Sequence, residues 1–153
     1  MFYHFVTICY DTRTKGENKM LDKEEFKKSP RFAELTAKAK AVLDADPDYI
    51  QAVSEREEAR DWYRDMEHQF EECDEEMANA ELDEDEAEDM DEINEARDRY
   101  REAEQLKEES DQNMANAELD EAKAEEKMHN IEKKVIYNLI SDPEEAEAVY
   151  YYY

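Results

Sequence analysis

The stretch between Pro47 and Ser141 contains neither glycine nor proline. Glutamate, alanine, arginine, methionine, leucine and lysine dominate it, and these residues are good helix formers. Helix breakers are missing over more than half of the chain, so long helices are the structures that best fit its composition. The sequence therefore predicts a mainly α fold.

All three prolines follow a residue that favours a helix N-cap, in the pairs Ser29-Pro30, Asp46-Pro47 and Asp142-Pro143. Proline is well suited to the first position of a helix, and it ends any helix that precedes it. These pairs predict helices at about 30–44, from 47 onward, and at 143–149.

Apolar residues follow a heptad spacing in two runs, which is typical of a coiled coil. One run begins at Ala59; the other begins at Ile93, has a polar gap after Ala103, and is two residues out of phase. An internal duplication explains the change of phase. Residues 58–89 and 95–126 are identical at 20 of 32 positions, with an offset of 37 residues.

The offset between the copies favours a hairpin. Thirty-seven residues at about 100° each would rotate the second run by about 100° on one straight helix. An antiparallel hairpin with one copy in each arm avoids that conflict. The sequence thus predicts an acidic helical hairpin that bends near Glu86–Glu92, although no turn residue is recognised there. The alternative is a very long helix in a parallel homodimer.

The two ends of the chain have a different composition. Met1–Tyr10 is rich in aromatic and β-branched residues and is predicted to be a strand, followed by a turn at Thr12–Asn18. Val149–Tyr153 is also rich in strand formers. We expect the two ends to pair into a short β-element; the alternative for the C-terminus is an aromatic tail without regular structure.

This reading divides the chain into three regions. Residues 1–45 form an N-terminal base of strand, turn and helix. Residues 46–141 form the acidic heptad-bearing region that contains the tandem repeat. Residues 142–153 form a C-terminal segment that packs on the base.

Charge restricts the class of partner. The chain has 46 acidic and 20 basic residues and a formal net charge of −26. Nucleic acids and anionic membranes are polyanions, so direct binding to either is not expected. Basic protein surfaces are the favoured partners. No targeting signal and no membrane span are recognised, and the unrelated contexts of Cys9 and Cys73 indicate unpaired thiols. We therefore expect a cytoplasmic protein, in the host cytoplasm if it is viral.

Catalytic and metal-binding patterns are weak. Asp65-x-x-His68 and Glu126-x-x-His129 have the spacing of di-iron ligands, but both pairs fall outside the apolar runs and are interpreted as surface residues. His4 lies far from either pair, and a chain with one glycine cannot build a phosphate-binding loop. The sequence predicts a protein that is not an enzyme and that has no metal or cofactor.

The distinctive feature is an acidic run. From Asp65 to Ala96 there are 17 acidic residues and no basic one. Residues 65–115, folded as a hairpin, would carry 23 acidic and four basic side chains, a net charge of −19. Each arm would be about 38 Å long, which places one net charge per about 2 Å, close to the spacing of about 1.7 Å along duplex DNA.

Small size, extreme acidity and helical acidic surfaces make the chain resemble a class of DNA-mimic inhibitors. Anti-restriction, anti-CRISPR and anti-recombinase proteins of phages and mobile elements belong to this class. The resemblance implies a helical inhibitor that blocks the positively charged nucleic-acid channel of a host defence or DNA-processing complex.

In this hypothesis one group of carboxylates takes the place of phosphates. The group consists of Glu71, Glu72, Asp74, Glu75, Glu76, Asp83, Glu84, Asp85, Glu86, Glu88, Asp89, Asp91 and Glu92. Trp62 lies beside the first apolar run, where it is either a core residue or an exposed anchor for a partner.

A second hypothesis belongs to a different class. The heptads and the tandem repeat are also typical of a structural coiled-coil scaffold or spacer. In that case the acidic residues only keep the protein soluble, and the protein self-associates through its apolar runs.

Overall fold

A computed structural model describes residues 21–153, and every structural statement below concerns that part of the chain. It contains five α-helices and no strand. They are α1 (Lys23–Lys27), α2 (Pro30–Leu43), α3 (Pro47–Glu86), α4 (Met90–Leu139) and α5 (Pro143–Tyr152). The mainly α prediction is confirmed, and the long helices α3 and α4 pack against each other as a hairpin.

Three of the helices begin at the predicted prolines. The Ser29 hydroxyl accepts a hydrogen bond from the amide of Phe32 at 3.1 Å, and the Asp46 and Asp142 carboxylates each accept two amide hydrogen bonds from the first turn of α3 and of α5. These side chains satisfy amide groups that have no partner inside the helix.

The hairpin turns over three residues, Ala87 to Asp89, inside the predicted bend. Asp89 is the N-cap of α4 and accepts hydrogen bonds from the amides of Asp91 (2.9 Å) and Glu92 (3.0 Å). The Glu92 carboxylate reaches back to the amide of Glu88 at 2.9 Å. This Asp-x-x-Glu arrangement resembles a capping box. The expectation that no turn residue marks the bend is therefore wrong.

Small side chains fill the seam between α3 and α4. The seam positions recur every seven residues. They are buried at Ala52, Ala59, Cys73 and Ala80 on α3, with the half-buried Met66 between Ala59 and Cys73, and at Ala96, Ala103, Ser110, Ala117 and Ala124 on α4. Larger side chains such as Tyr63, Phe70 and Met77 are half-buried beside the seam. Small residues at this position allow two helix backbones to approach closely.

Ser110 explains the polar gap in the second heptad run. Its side chain is 1 % exposed, and its hydroxyl donates a hydrogen bond to the carbonyl of Leu106 at 2.9 Å. A small polar group can therefore occupy a seam position without an unsatisfied hydrogen bond.

The base of the molecule packs α1, α2 and α5 around the end of α4. Its core consists of Phe26, Leu35, Ala39, Ile136, Ile140, Ala146, Ala148 and Val149. Aromatic rings extend this core, because Phe32 contacts both Phe26 and Tyr152 in edge-to-face geometry, with ring centroids 5.7 and 6.1 Å apart.

The prediction of a strand at Val149–Tyr153 is wrong, because α5 continues to Tyr152. The Asp142 cap starts a helix, and Ala146 and Val149 lie on one face of that helix in the base core. Burial of this face outweighs the local preference for a strand. The other parts of the predicted β-element, Met1–Tyr10 and the turn at Thr12–Asn18, lie outside the described residues.

None of the helices in residues 21–153 combines the length and the apolar character that a membrane crossing requires.

A partly buried polar contact joins the start of α3 to α4 near the base. The Tyr49 hydroxyl donates a hydrogen bond to Oε1 of Glu132 at 2.9 Å, and Glu132 is 9 % exposed. The other oxygen of Glu132 lies 3.1 Å from Nδ1 of His129. Burial, followed by the hydrogen bond to Glu132, raises the pKa of the Tyr49 hydroxyl well above its ordinary value.

The seam makes a direct prediction about packing. Replacing Ala117, which is 4 % exposed, by leucine should lower the free energy of unfolding by about 1–3 kcal/mol, because the added atoms force the helices apart. Ala115→Leu is the matched control, since Ala115 is exposed on the same helix. Urea unfolding followed by circular dichroism measures both variants. Equal stability of the two would contradict the close-packed seam.

The Tyr49 contact predicts a stability difference that depends on pH. Tyr49→Phe leaves the buried Glu132 without its hydroxyl partner, so the free energy of unfolding at pH 7 should fall by about 1–3 kcal/mol. The pKa of Tyr49 is higher in the folded than in the unfolded state, so this contribution is complete below about pH 10 and declines as the pH rises further.

The difference between wild type and Tyr49→Phe should therefore shrink above about pH 10. Tyr137→Phe serves as the control, because Tyr137 is exposed and its hydroxyl makes no hydrogen bond within residues 21–153. A difference that stays constant across the alkaline range would show that the Tyr49 hydroxyl does not contribute in this way.

Candidate functional site

The candidate site is the acidic rod, which we define as residues 65–115 of the hairpin. It contains the second half of α3, the turn and the first half of α4. All 13 carboxylates predicted to bind a partner lie on it, and all are exposed except Glu84, which is half-buried. Their side chains surround the free end of the hairpin, away from the base.

Basic residues of α4 reach across the seam to four of these carboxylates. Arg97 contacts Glu84 at 2.6 Å, Arg99 contacts Asp83 and Glu76, and Lys107 contacts Asp74. The hydrogen bond that Arg99 donates to the Asp83 carboxylate raises the pKa of the Arg99 guanidinium. The sequence shows no basic residue within the run Asp65–Ala96. In the folded protein, however, basic residues of the opposite arm neutralise part of its charge.

These cations are not recognisable as partners from the acidic run alone, but the sequence holds a signal for them. Once the bend is placed, an antiparallel register brings residues before and after it to the same height on the rod. The register would have placed Arg97 and Lys107 opposite the acidic run.

Three more of the 13 carboxylates have local roles. Asp89 and Glu92 cap α4, and Glu72 lies 3.4 Å from Nδ1 of His68. The remaining six make no side-chain hydrogen bond or ion pair within residues 21–153. They are Glu71, Glu75, Asp85, Glu86, Glu88 and Asp91. These six groups are available to a partner without breaking an internal contact.

Trp62 lies on the hairpin outside the acidic rod and is 50 % exposed. It forms one wall of an open groove of about 500 Å³ between the arms, together with Glu55, Asp120, Lys123 and Lys127. The two lysines are held by neighbouring carboxylates, Lys127 by Glu55 at 2.6 Å and Lys123 by Asp120 at 2.8 Å. Half of the indole therefore remains open to a partner.

The residues considered for metal binding and catalysis do not converge. His68 and His129 contact Glu72 and Glu132 respectively, on different parts of the hairpin. Within residues 21–153 no three His, Cys, Asp or Glu side chains are grouped so that they could hold a metal ion. Burial raises the pKa of the Cys73 thiol, which keeps this seam residue protonated at neutral pH.

Comparison of the chain with protein-family models, curated proteins and solved structures gave no match. The acidic rod is therefore interpreted from its own geometry and charge.

The charge distribution predicts a response to salt. The acidic rod carries 23 acidic and four basic side chains, so repulsive pairs outnumber the cross-arm ion pairs. Raising sodium chloride from low concentration to about 0.2 M should increase the melting temperature, because a Debye length of about 10 Å or less screens the repulsion. A melting temperature that falls with salt would show that the ion pairs outweigh the repulsion.

Proposed function

We propose that this protein is an inhibitor of the DNA-mimic type, whose acidic rod occupies the positively charged nucleic-acid channel of a partner protein. The partner class is a host defence or DNA-processing complex. One observation carries the proposal: a two-helix rod with a net charge of −19 over residues 65–115 extends from a compact base.

The dimensions of the rod support the proposal. Two packed helices are about 20 Å across and each arm of the rod is about 38 Å long. One net charge per about 2 Å approaches the linear charge density of duplex DNA. A groove that binds a duplex would therefore meet a body of similar width and field.

The internal contacts support a stiff mimic. Four carboxylates hold the arms together through Arg97, Arg99 and Lys107, while the six carboxylates without internal partners point into solvent. A preorganised anion binds a basic groove with a smaller loss of conformational entropy than a flexible acidic tail does. Lysine and arginine in the groove would form charge-assisted hydrogen bonds with these carboxylates.

Charge alone does not select one basic protein among many, so the selectivity has to come from shape and from neutral contacts. The half-exposed Trp62 is the candidate anchor, since tryptophan is enriched among residues that dominate binding energy. Its groove lies between the acidic rod and the base.

One observation favours the scaffold as a second candidate function. Leu82, Leu106 and Leu119 are 60 %, 45 % and 55 % exposed on the surface of the hairpin. Apolar side chains at such positions could join hairpins into a larger helical bundle. A scaffold of this kind would self-associate with little dependence on salt.

Capture and competition test the mimic. Immobilised protein should retain a basic partner from a lysate of the cells in which the protein is made, and duplex DNA should release that partner. Affinity for the purified partner should fall steeply with salt, because the contacts are ionic. A partner that binds DNA and this protein simultaneously would leave the mimic proposal without support.

Matched charge reversals locate the surface. Glu71→Lys with Glu75→Lys should weaken binding about tenfold or more, because two unpaired carboxylates of the rod become like charges in a basic groove. Glu25→Lys with Glu57→Lys makes the same change of charge at exposed positions outside the rod and should have a much smaller effect. Circular dichroism checks that helix content is unchanged. Sedimentation that shows a salt-insensitive oligomer and no DNA competition would favour the scaffold.

A further inference from the structure

The hairpin places the two copies of the repeat side by side in opposite directions, which relates them by an approximate two-fold axis. Equivalent residues of the copies make equivalent contacts. The repeat offset of 37 residues relates Arg60 to Arg97 and Glu84 to Glu121. The ion pair Arg60–Glu121 is therefore equivalent to the ion pair Arg97–Glu84.

The local ion pairs Arg64–Asp61 and Arg101–Asp98 are related in the same way. The axis crosses the seam between Cys73 and Ser110, which are equivalent in the two copies and are both buried. Since it exchanges two antiparallel helices, it is perpendicular to the plane that contains them. Each broad side of the rod is therefore mapped onto itself.

The two broad sides differ in how well they keep this symmetry. We call one the symmetric side. It is formed by the residues that come directly after each seam position in the sequence. It consists of Arg60, Glu67, Asp74 and Glu81 on α3, Glu88 in the turn, and Arg97, Glu104, Asp111, Glu118 and Glu125 on α4. All five equivalent positions carry the same residue in both copies. This side therefore presents eight carboxylates in four two-fold-related pairs.

We call the opposite side the divergent side. It is formed by the residues that come directly before the heptad position held by Tyr63 and Met77 on α3 and by Tyr100 and Met114 on α4. It pairs Trp62 with Arg99, Gln69 with Leu106, Glu76 with Asn113, and Asp83 with Asp120. One of these four pairs is identical. The groove beside Trp62 lies here, and its two-fold-related counterpart holds Arg99, Asp83 and Glu86 instead.

Folding alone does not explain why the symmetric side is uniform. Seam positions, where packing constrains a side chain most, already differ between the copies, at the half-buried Met66 and its equivalent Ala103 and at Cys73 and Ser110. The symmetric side is exposed at nine of its ten positions, Glu125 being half-buried, and most substitutions at exposed positions have little effect on stability. Cross-arm ion pairs involve Arg60, Arg97, Asp74 and Glu125, but the other six residues make no side-chain hydrogen bond or ion pair within residues 21–153. The uniformity of this side indicates a requirement that applies equally to both halves of the rod.

From this we infer that the symmetric side docks a two-fold-symmetric basic surface, namely that of a homodimeric DNA-binding protein. The inference rests on the proposed function and adds the symmetry of the partner. Dimeric DNA-binding proteins place their axis on a two-fold axis of the duplex, perpendicular to the helix axis, so that each subunit contacts one half-site. The rod offers an axis of the same orientation and an equivalent set of carboxylates on either side of it.

The two-fold axis provides matched pairs of variants, because it exchanges the residues changed in one variant with those changed in the other. Glu81→Lys with Glu104→Lys changes the half of the symmetric side near the turn, and Glu67→Lys with Glu118→Lys changes the equivalent half near the base. Asp65→Lys with Glu102→Lys is the control away from the symmetric side, with one change in each half. All six carboxylates are exposed and make no side-chain hydrogen bond or ion pair within residues 21–153. Each variant changes the net charge by the same amount.

The experiment uses the full-length protein and the purified partner recovered by DNA-competed capture. Light scattering should show two partner chains for each molecule of this protein. The two variants of the symmetric side should each weaken binding at least about tenfold, and by factors that agree within about twofold. The control variant should weaken binding much less, and circular dichroism should show the same helix content in all three.

The contrary outcomes are distinguishable. If DNA competes but one partner chain binds, or if only one of the two symmetric-side variants weakens binding, the mimic stands and the two-fold inference is overturned. If the control variant weakens binding as much as the other two, the partner does not bind specifically to the symmetric side, and that part of the inference is overturned. If capture yields no partner that DNA displaces, both the proposed function and this inference fail.

Discussion

The close approach of α3 and α4 along small side chains determines the rest of the structure. Alanine, serine and cysteine at all but one of the seam positions between Ala52 and Ala124 let the arms lie near each other, so that Arg97, Arg99 and Lys107 reach carboxylates of the opposite arm. A seam of leucines would hold the helices further apart and weaken these contacts. The seam also aligns the two copies of the repeat about one axis. The stiffness of the rod and its symmetry therefore have a common physical origin.

A rod with this net charge has to offset its own repulsion. Surface ion pairs contribute little singly, but those of the hairpin link the two arms at several heights, from Lys127–Glu55 near the base to Arg97–Glu84 near the turn. Carboxylates without internal partners occur along the whole rod, from Asp65 and Glu67 toward the base to Asp85 and Glu86 beside the turn. The base core of α1, α2, α5 and the end of α4 thus anchors a charged extension that has only a thin core of its own.

Much of this fold could be predicted from the sequence, because its signals are local and periodic. The proline pairs placed the starts of α2, α3 and α5, and the phase change between the copies predicted a hairpin. Other features depended on tertiary context. Val149 and the tyrosines after it favour a strand locally, but the base buries one face of a helix there. The cross-arm partners of Asp74 and Asp83 depend on a register that the sequence shows only once the turn is placed, and Asp89 was a turn signal that went unrecognised.

The duplication supplies a comparison inside one molecule. Both copies began with the same side chains in related surroundings, so their differences show where the two halves of the rod have changed. Three of the four residue pairs of the divergent side have changed, and in the groove on that side Trp62 and Lys123 stand where the other half has Arg99 and Glu86. A tryptophan beside lysines near the base, and an arginine among carboxylates near the turn, make the two ends of that side chemically distinct. The opposite side stays uniform. The hairpin thus combines one side that is suited to a symmetric charged surface with another side whose two ends differ chemically. A simple helical polyanion would not offer this combination.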